Sequence, residues 1–134
     1  MIFVTGAAGH LGRATINHLL TTYKVPEAKI IAGTREPSKL ADFKAKGVQI
    51  RDANFDDEAG LTQAFAGVSR LLISSTSSME PGVRQKQHLN AVHAAEKAGV
   101  KHVIYTSMPR PDTSAVLFAP DHLNTEKALA AAKI

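Results

Sequence analysis

Ile2-Phe3-Val4 is a short apolar run that breaks directly into Thr5-Gly6-Ala7-Ala8-Gly9-His10-Leu11-Gly12. No other stretch constrains the fold as strongly. Three buried-type residues read as a strand, and glycines at every third position after it allow a sharp turn and close backbone approach. A helical pattern starts at once and runs from about Leu11 to Tyr23, with Leu11, Ala14, Ile16, Leu19 and Leu20 forming most of an apolar face. A strand that turns straight into an amphipathic helix is the first half of a βαβ unit.

The rest of the chain repeats that alternation. Pro26 ends the first helix, and Lys29 to Thr34 reads as a second strand. Pro37 suits the first turn of a helix that runs to Gly47. Val48-Gln49-Ile50 is a third strand, and Asp56-Asp57 opens a helix that ends at Gly67, its acidic start favoured by the helix dipole. Arg70 to Ile73 is a fourth strand, followed by a polar loop from Ser74 to Gly82 and a long helix from Val83 to Ala98 that stops at Gly99. Val103-Ile104-Tyr105 is the fifth strand, and a last helix spans about Asp121 to Ala132. Strands that alternate with helices build a parallel sheet covered on both faces. Right-handed crossovers then predict an α/β, doubly wound, Rossmann-like domain over residues 1–134, with strand order 3-2-1-4-5.

Several chemistries are excluded by what the sequence lacks. There is no cysteine, so disulfides, thiolate metal sites and a cysteine nucleophile are all ruled out. His88 and His93 lie five apart, off a common helical face, and no H-E-x-x-H occurs, so no metal site is expected. No G-x-S-x-G elbow and no G-x-x-x-x-G-K-[ST] loop is present. The net charge of +4 comes from Lys and Arg spread along the chain among acidic residues, so no nucleic-acid contact is expected. No stretch approaches a membrane span, and a cytoplasmic protein is the expectation.

The first turn admits two readings: glycine for geometry alone, or a cradle for a phosphate. Its position after a first strand and before a helix is the context that gives the second reading weight. Gly6 then permits the tight turn, Gly9 admits a pyrophosphate close to the backbone, and Gly12 lets helix pack on strand. The backbone of Ala8, His10 and Leu11 borders the anion, with free N–H groups of the helix start facing it. At the end of the second strand, Arg35 stands where an NAD-preferring site would place a carboxylate. A guanidinium there pairs with a 2′-phosphate, and Lys39 adds a second charge, so NADP(H) is expected over NAD(H). Glu36, able to take ribose hydroxyls itself, argues the other way; Arg35 and Lys39 also suit a solvated helix start.

Five segments in order, TGAAGHLG, AGTREPSKL, LLISSTS, AGVKHVIYTS and HLNTEKALA, make the chain similar to the atypical short-chain dehydrogenases. More closely it resembles the NmrA-like family, in particular its NAD(P)H:quinone oxidoreductase branch. The resemblance covers the whole chain and implies an NADP(H)-binding domain that serves hydride transfer to a quinone-like acceptor. It puts a polar residue near adenine at the end of the third strand, where Asn54 stands in place of the family's usual Asp, beside Phe55, either a core residue or a wall of the adenine pocket. Ser74, Ser75 and Thr76 border the crevice at the topological switch point. The Y-x-x-x-K pair of short-chain dehydrogenases is absent, because Tyr23 is followed four later by Glu27 and Tyr105 by Pro109. Ser107, His122 and Lys127 remain near the expected place, Lys127 as a ribose contact and His122 as a proton relay, or else as helix-start and surface residues.

Members of that family continue with a sixth strand and a smaller substrate region where this sequence ends, in EKALAAAKI. The expectation is therefore a cofactor half without its substrate half, with a fifth strand left as an open edge that invites homo-oligomers. Two functions follow: the cofactor domain of a quinone reductase, or a module that senses NADP without turnover.

Overall fold

A computed structural model describes all of residues 1–134. Five parallel strands, β1 (Ile2–Val4), β2 (Ile30–Thr34), β3 (Gln49–Asp52), β4 (Arg70–Ile73) and β5 (His102–Tyr105), form one sheet in the order β3-β2-β1-β4-β5. This is the doubly wound order that the alternation predicts. The helices are α1 (His10–Thr21), α2 (Ala41–Ala45), α3 (Glu58–Ala64), α4 (Val83–Lys97) and α5 (Ala119–Ala131).

Strand alternation divides the interior into two cores. Phe3, Ile31, Leu71 and Ile73 point to the face covered by α3 and α4, with Ala128 and Leu129 of α5 packed at its margin. Val4, Ile30 and Ala32 point the other way, beneath Ile16 of α1 and Phe43 of α2. In the first core the Phe3 ring meets Phe65 edge-on, with centroids 5.0 Å apart. Gly33 of β2 makes room for that ring: a Cβ there would lie 2.2 Å from it. No helix is long and apolar enough to cross a membrane.

The boundaries shift where local chemistry overrides the apolar pattern. The third strand begins at Gln49 and continues through Arg51 and Asp52, which pair with Gly33 and Thr34. Polar residues on an edge strand carry no apolar signal, while Val48 is buried against α2 before the strand starts. The second helix is a 3₁₀ turn over Pro37–Leu40 followed by only five residues of α2. Asp57 is the N-cap of α3, its carboxylate accepting from the Gly60 N–H at 2.9 Å, so the helix begins at Glu58. The last helix starts earlier than Asp121, at Ala119, with Pro120 in the first turn that tolerates it. β5 is an open edge on which Ile104 stands 58% exposed.

The β1–α1 junction is the tightest point of the fold. A Cβ on Gly12 would stand 2.4 Å from the Gly6 carbonyl oxygen and 2.7 Å from Ala7 Cα, and neither backbone atom can move aside cheaply. Gly12→Ala is expected to destabilise the fold by about 1–3 kcal/mol through this overpacking, measured by equilibrium denaturation. Unchanged stability would mean that α1 does not rest on the turn as described.

Candidate functional site

A crevice of about 790 Å³ opens above the carboxyl ends of the strands. It lies over the point where the chain reverses direction between β1 and β4, the place where open α/β sheets hold ligands. Gly6, Ala8, Gly9, His10, Leu11 and Gly12 line one wall. Gly6 takes φ +60°, a conformation that favours glycine. Its carbonyl accepts from the Gly9 N–H at 2.9 Å, and the Ala7 N–H donates to Gly33 O at 3.0 Å. Gly9 is an extended N-cap with no side-chain cap. The N–H groups of His10, Leu11 and Gly12 therefore have no main-chain acceptor and lie at the positive end of α1. Such an arrangement binds anions.

A second wall comes from the end of β2. Thr34 Oγ1 accepts from the Glu36 N–H at 3.0 Å and so turns the chain outward. Arg35 is exposed there and makes no hydrogen bond or ion pair, which leaves its guanidinium free. Lys39, expected as a second free charge, is instead paired with Glu36 at 2.8 Å. That pair also occupies the Glu36 carboxylate. From α1, Arg13 reaches across to Asp42 at 2.8 Å and to the Lys39 carbonyl, and it lies over the Phe43 ring. The hydrogen bond from Arg13 holds the Asp42 carboxyl below its usual pKa.

Ala53, Asn54 and Phe55 close the far end. Asn54 Oδ1 accepts from the Asp56 N–H at 3.0 Å, so the amide shapes its own loop as well as facing the crevice. Phe55 belongs both to the core and to the crevice wall. From α4, Asn90 Nδ2 donates to the Phe55 carbonyl at 2.8 Å and Gln87 Nε2 to Asp56 Oδ1 at 3.0 Å. The Gln87 Oε1 is buried without a partner.

The floor after β4 is Ser74, Ser75 and Thr76. Their three successive N–H groups donate to side chains on three different elements: Ser74 to Thr5 Oγ1 at 2.8 Å, Ser75 to Thr106 Oγ1 at 2.8 Å, and Thr76 to His88 Nε2 at 3.0 Å. The three carbonyls accept no main-chain or side-chain hydrogen bond.

The structure gathers every expected dinucleotide contact into this crevice except Ser107. That residue is exposed and donates to Glu126 of α5, while its neighbour Thr106 lines the crevice. Lys127 projects from α5 into solvent, and neither it nor His122 lines the crevice. His122 is only 4% exposed and is bound to Tyr105. It belongs to a buried polar cluster that sequence reasoning missed: His88, Tyr105, His122 and Thr125, with Arg84 stacked 4.5 Å over Phe118 at its border. The available signal was helical spacing, since Arg84, Gln87, His88, Ala91, Val92 and Ala95 form the buried stripe of α4. Polar residues within such a stripe mark a buried network.

Proton positions in the cluster follow from its partners. His88 Nε2 accepts from the Thr76 N–H, so the neutral ring carries its proton on Nδ1. That proton faces Thr125 Oγ1 at 3.1 Å, whose own hydroxyl donates to Asp121 O at 2.7 Å. The Tyr105 hydroxyl is hydrogen-bonded to His122 Nδ1 at 2.6 Å. Burial pushes His88 down to about 4, with the charges of His122 and Arg84 adding to the effect. Burial likewise lowers His122 and pushes the Tyr105 phenol up to about 12. All three are neutral at pH 7.

A histidine with a lower pKa when folded binds fewer protons than in the unfolded chain. Its contribution is complete above the unfolded value of 6.5 and is lost as the pH falls toward 4. Between pH 7 and pH 5 the unfolding free energy is expected to drop by about 2 kcal/mol through His88, and His88→Leu should flatten the profile to the smaller slope that the lowered His122 still contributes. A flat profile for the unmodified chain would show that His88 is not buried in its neutral form.

Comparison with known proteins gives a consistent result. The chain is 45% identical over 130 residues to quinone oxidoreductase 2 of Escherichia coli K12, covering 97% of this chain and 44% of that protein. Among solved structures it is similar to the E. coli NADPH-dependent quinone oxidoreductase QOR2 complexed with NADPH, with TM-score 0.89 and 44% identity over 100% of this chain and 46% of the other. The Citrobacter sp. triphenylmethane reductase complexed with NADP(H) matches with TM-score 0.92 and 41% identity, over 97% of this chain and 45% of the other. The chain thus spans about half the length of the relatives it matches. The model of the NmrA-like family aligns with residues 1–128, and the chain belongs to that family.

Proposed function

We propose that residues 1–134 form a single NADP(H)-binding domain of a quinone oxidoreductase-like protein, and that the full-length protein passes hydride from NADPH to a quinone-like acceptor. The observation that carries this reading is the open N-terminus of α1 resting on the Gly6–Gly12 contact, with an unpaired Arg35 beside it. Similarity to reductases solved with NADPH and NADP(H) supports it.

In this reading the N–H groups of His10, Leu11 and Gly12 hold the pyrophosphate, and Gly6, Ala8 and Gly9 leave room for it. Arg35 takes the 2′-phosphate, and Lys39 turns toward it from Glu36. Asn54 and Phe55 border the adenine. Ser74 and Ser75 support the opposite half. The bound nicotinamide supplies a hydride, and reduction of a quinone to a hydroquinone takes up a proton besides. His122, Ser107 and Lys127 lie outside the crevice, so the residues named here act by binding and orientation, which can itself supply much of a rate enhancement. A cytoplasmic location and self-association through the β5 edge around Ile104 go with this proposal. Sedimentation that rises with concentration supports the association, and a monomer throughout refutes it.

The absence of a Y-x-x-x-K pair favours a second reading, in which the module senses NADP without turnover. NADPH-dependent bleaching of a quinone supports the reductase; binding without bleaching supports the sensor.

The test is a fluorescence titration of the chain with NADPH and NADH. Loss of the charged hydrogen bonds in Arg35→Ala is expected to weaken NADPH about 10- to 100-fold and to leave NADH unchanged. Equal loss for both cofactors would remove the 2′-phosphate from Arg35, and no binding of either would overturn the proposal.

A further inference from the structure

We infer that His88 is a positioning residue for the crevice: its unprotonated Nε2 fixes the Ser74–Thr76 backbone so that the main chain of the floor presents no free N–H to the site. The inference rests on the dinucleotide reading of the crevice for its ligand, and on geometry alone for the positioning.

Three neighbouring amides in an irregular segment ordinarily bond to water or to the main chain. Here each is captured by a side chain of a different element, Thr5 beyond β1, Thr106 beyond β5 and His88 of α4. Thr5 and His88 are fully buried. All three N–H groups therefore point into the protein, and the carbonyls of Ser74, Ser75 and Thr76 are left without acceptor duties beside the crevice. One turn earlier on α4, Arg84 Nε donates to the Ser78 carbonyl at 3.0 Å. The loop is thus gripped twice by one helix face, from opposite sides of its hydrogen-bonding chemistry. A floor with main-chain carbonyls and no free main-chain N–H suits a ligand that presents N–H or O–H groups, such as an amide or a ribose, better than a phosphate.

His88 alone among the three captors depends on a tautomer. A hydroxyl can accept in any rotamer, but an imidazole accepts at Nε2 only while the proton stays on Nδ1. Thr125 secures that state, because its hydroxyl proton is engaged by Asp121 O and its lone pair faces His88 Nδ1. The groups that face the ring are Arg84 on its own helix, Tyr105 on β5, and His122 with Asp121 on α5. None of them supplies a carboxylate in contact with the ring that would stabilise a second proton.

The experiment uses the whole chain and two replacements. Glutamine places a carboxamide oxygen close to the Nε2 position, whereas leucine fills the space without an acceptor. In the unmodified chain, histidine-ring nitrogen NMR should show His88 with Nδ1 protonated and Nε2 bare, and the Thr76 amide should exchange slowly. His88→Leu should expose the Thr76 amide to exchange and weaken NADPH binding about 2- to 10-fold, because the released backbone must be ordered again when the ligand binds. His88→Gln should restore both slow exchange and most of the affinity. An Nε2-protonated ring in the unmodified chain, or a leucine variant with a protected Thr76 amide and unchanged affinity, overturns the inference. If the unmodified chain binds no NADPH, the dinucleotide reading fails, and the ring tautomer with Thr76 exchange still decides the role of His88. Should the leucine variant not fold, the tautomer decides it alone.

Discussion

The close stacking of α1 on the Gly6 backbone is the contact on which the rest of the site depends. A helix that starts within van der Waals reach of the strand it follows cannot be tilted or moved outward without losing contact with the Ile16 and Val4 core. Its first N–H groups are thereby aimed over the end of β1, beside the ends of β2 and β4. The sheet order does the remainder, since β2 and β4 flank β1 and send their following loops to opposite sides of the turn. Arg35 and the Ser74–Thr76 floor are consequently brought to one crevice from positions 39 residues apart, counting from Arg35 to Ser74.

The second organising feature is α4. Its buried stripe holds Arg84, Gln87 and His88 beside Ala91, Val92 and Ala95. Each polar head meets backbone or a charged partner in or next to the crevice walls: Ser78 O, Asp56 Oδ1 beside Phe55, and the Thr76 N–H. Hydrogen bonds of this kind contribute modestly to stability and strongly to uniqueness, because the alternative is a buried polar group without a partner. The helix thus acts as a rigid backing for these loops, in addition to the grip of Thr5 and Thr106 on Ser74 and Ser75.

Much of this was legible in the sequence, and for definite reasons. Strand order followed from alternation and handedness, which involve no side-chain detail. The glycine turn announced itself because dihedral limits restrict which residues can occupy it. Arg35 was legible because a strand end fixes where the next side chain emerges. The second helix was not, since Pro37 set a 3₁₀ turn whose apolar spacing mimics an α-helix. His122 and Lys127 were placed by likeness to a family pattern, and here one is committed to Tyr105 and the other to solvent. The cluster around His88 escaped because its members, 17 residues apart from His88 to Tyr105 and again from Tyr105 to His122, meet only after three elements have packed.

The anion-facing surface of the β1–α1 turn is built from main chain. Ala8, His10 and Leu11 contribute peptide groups to it, and Leu11 has half its surface in water. A recognition surface made this way is insensitive to what those side chains are, provided the glycines between them stay small. The same cradle can therefore be handed down through sequences that differ at these three positions, each free to acquire a new contact with whatever else approaches the crevice. Chemical novelty at the rim and constancy of the main-chain cradle are separable properties of this turn.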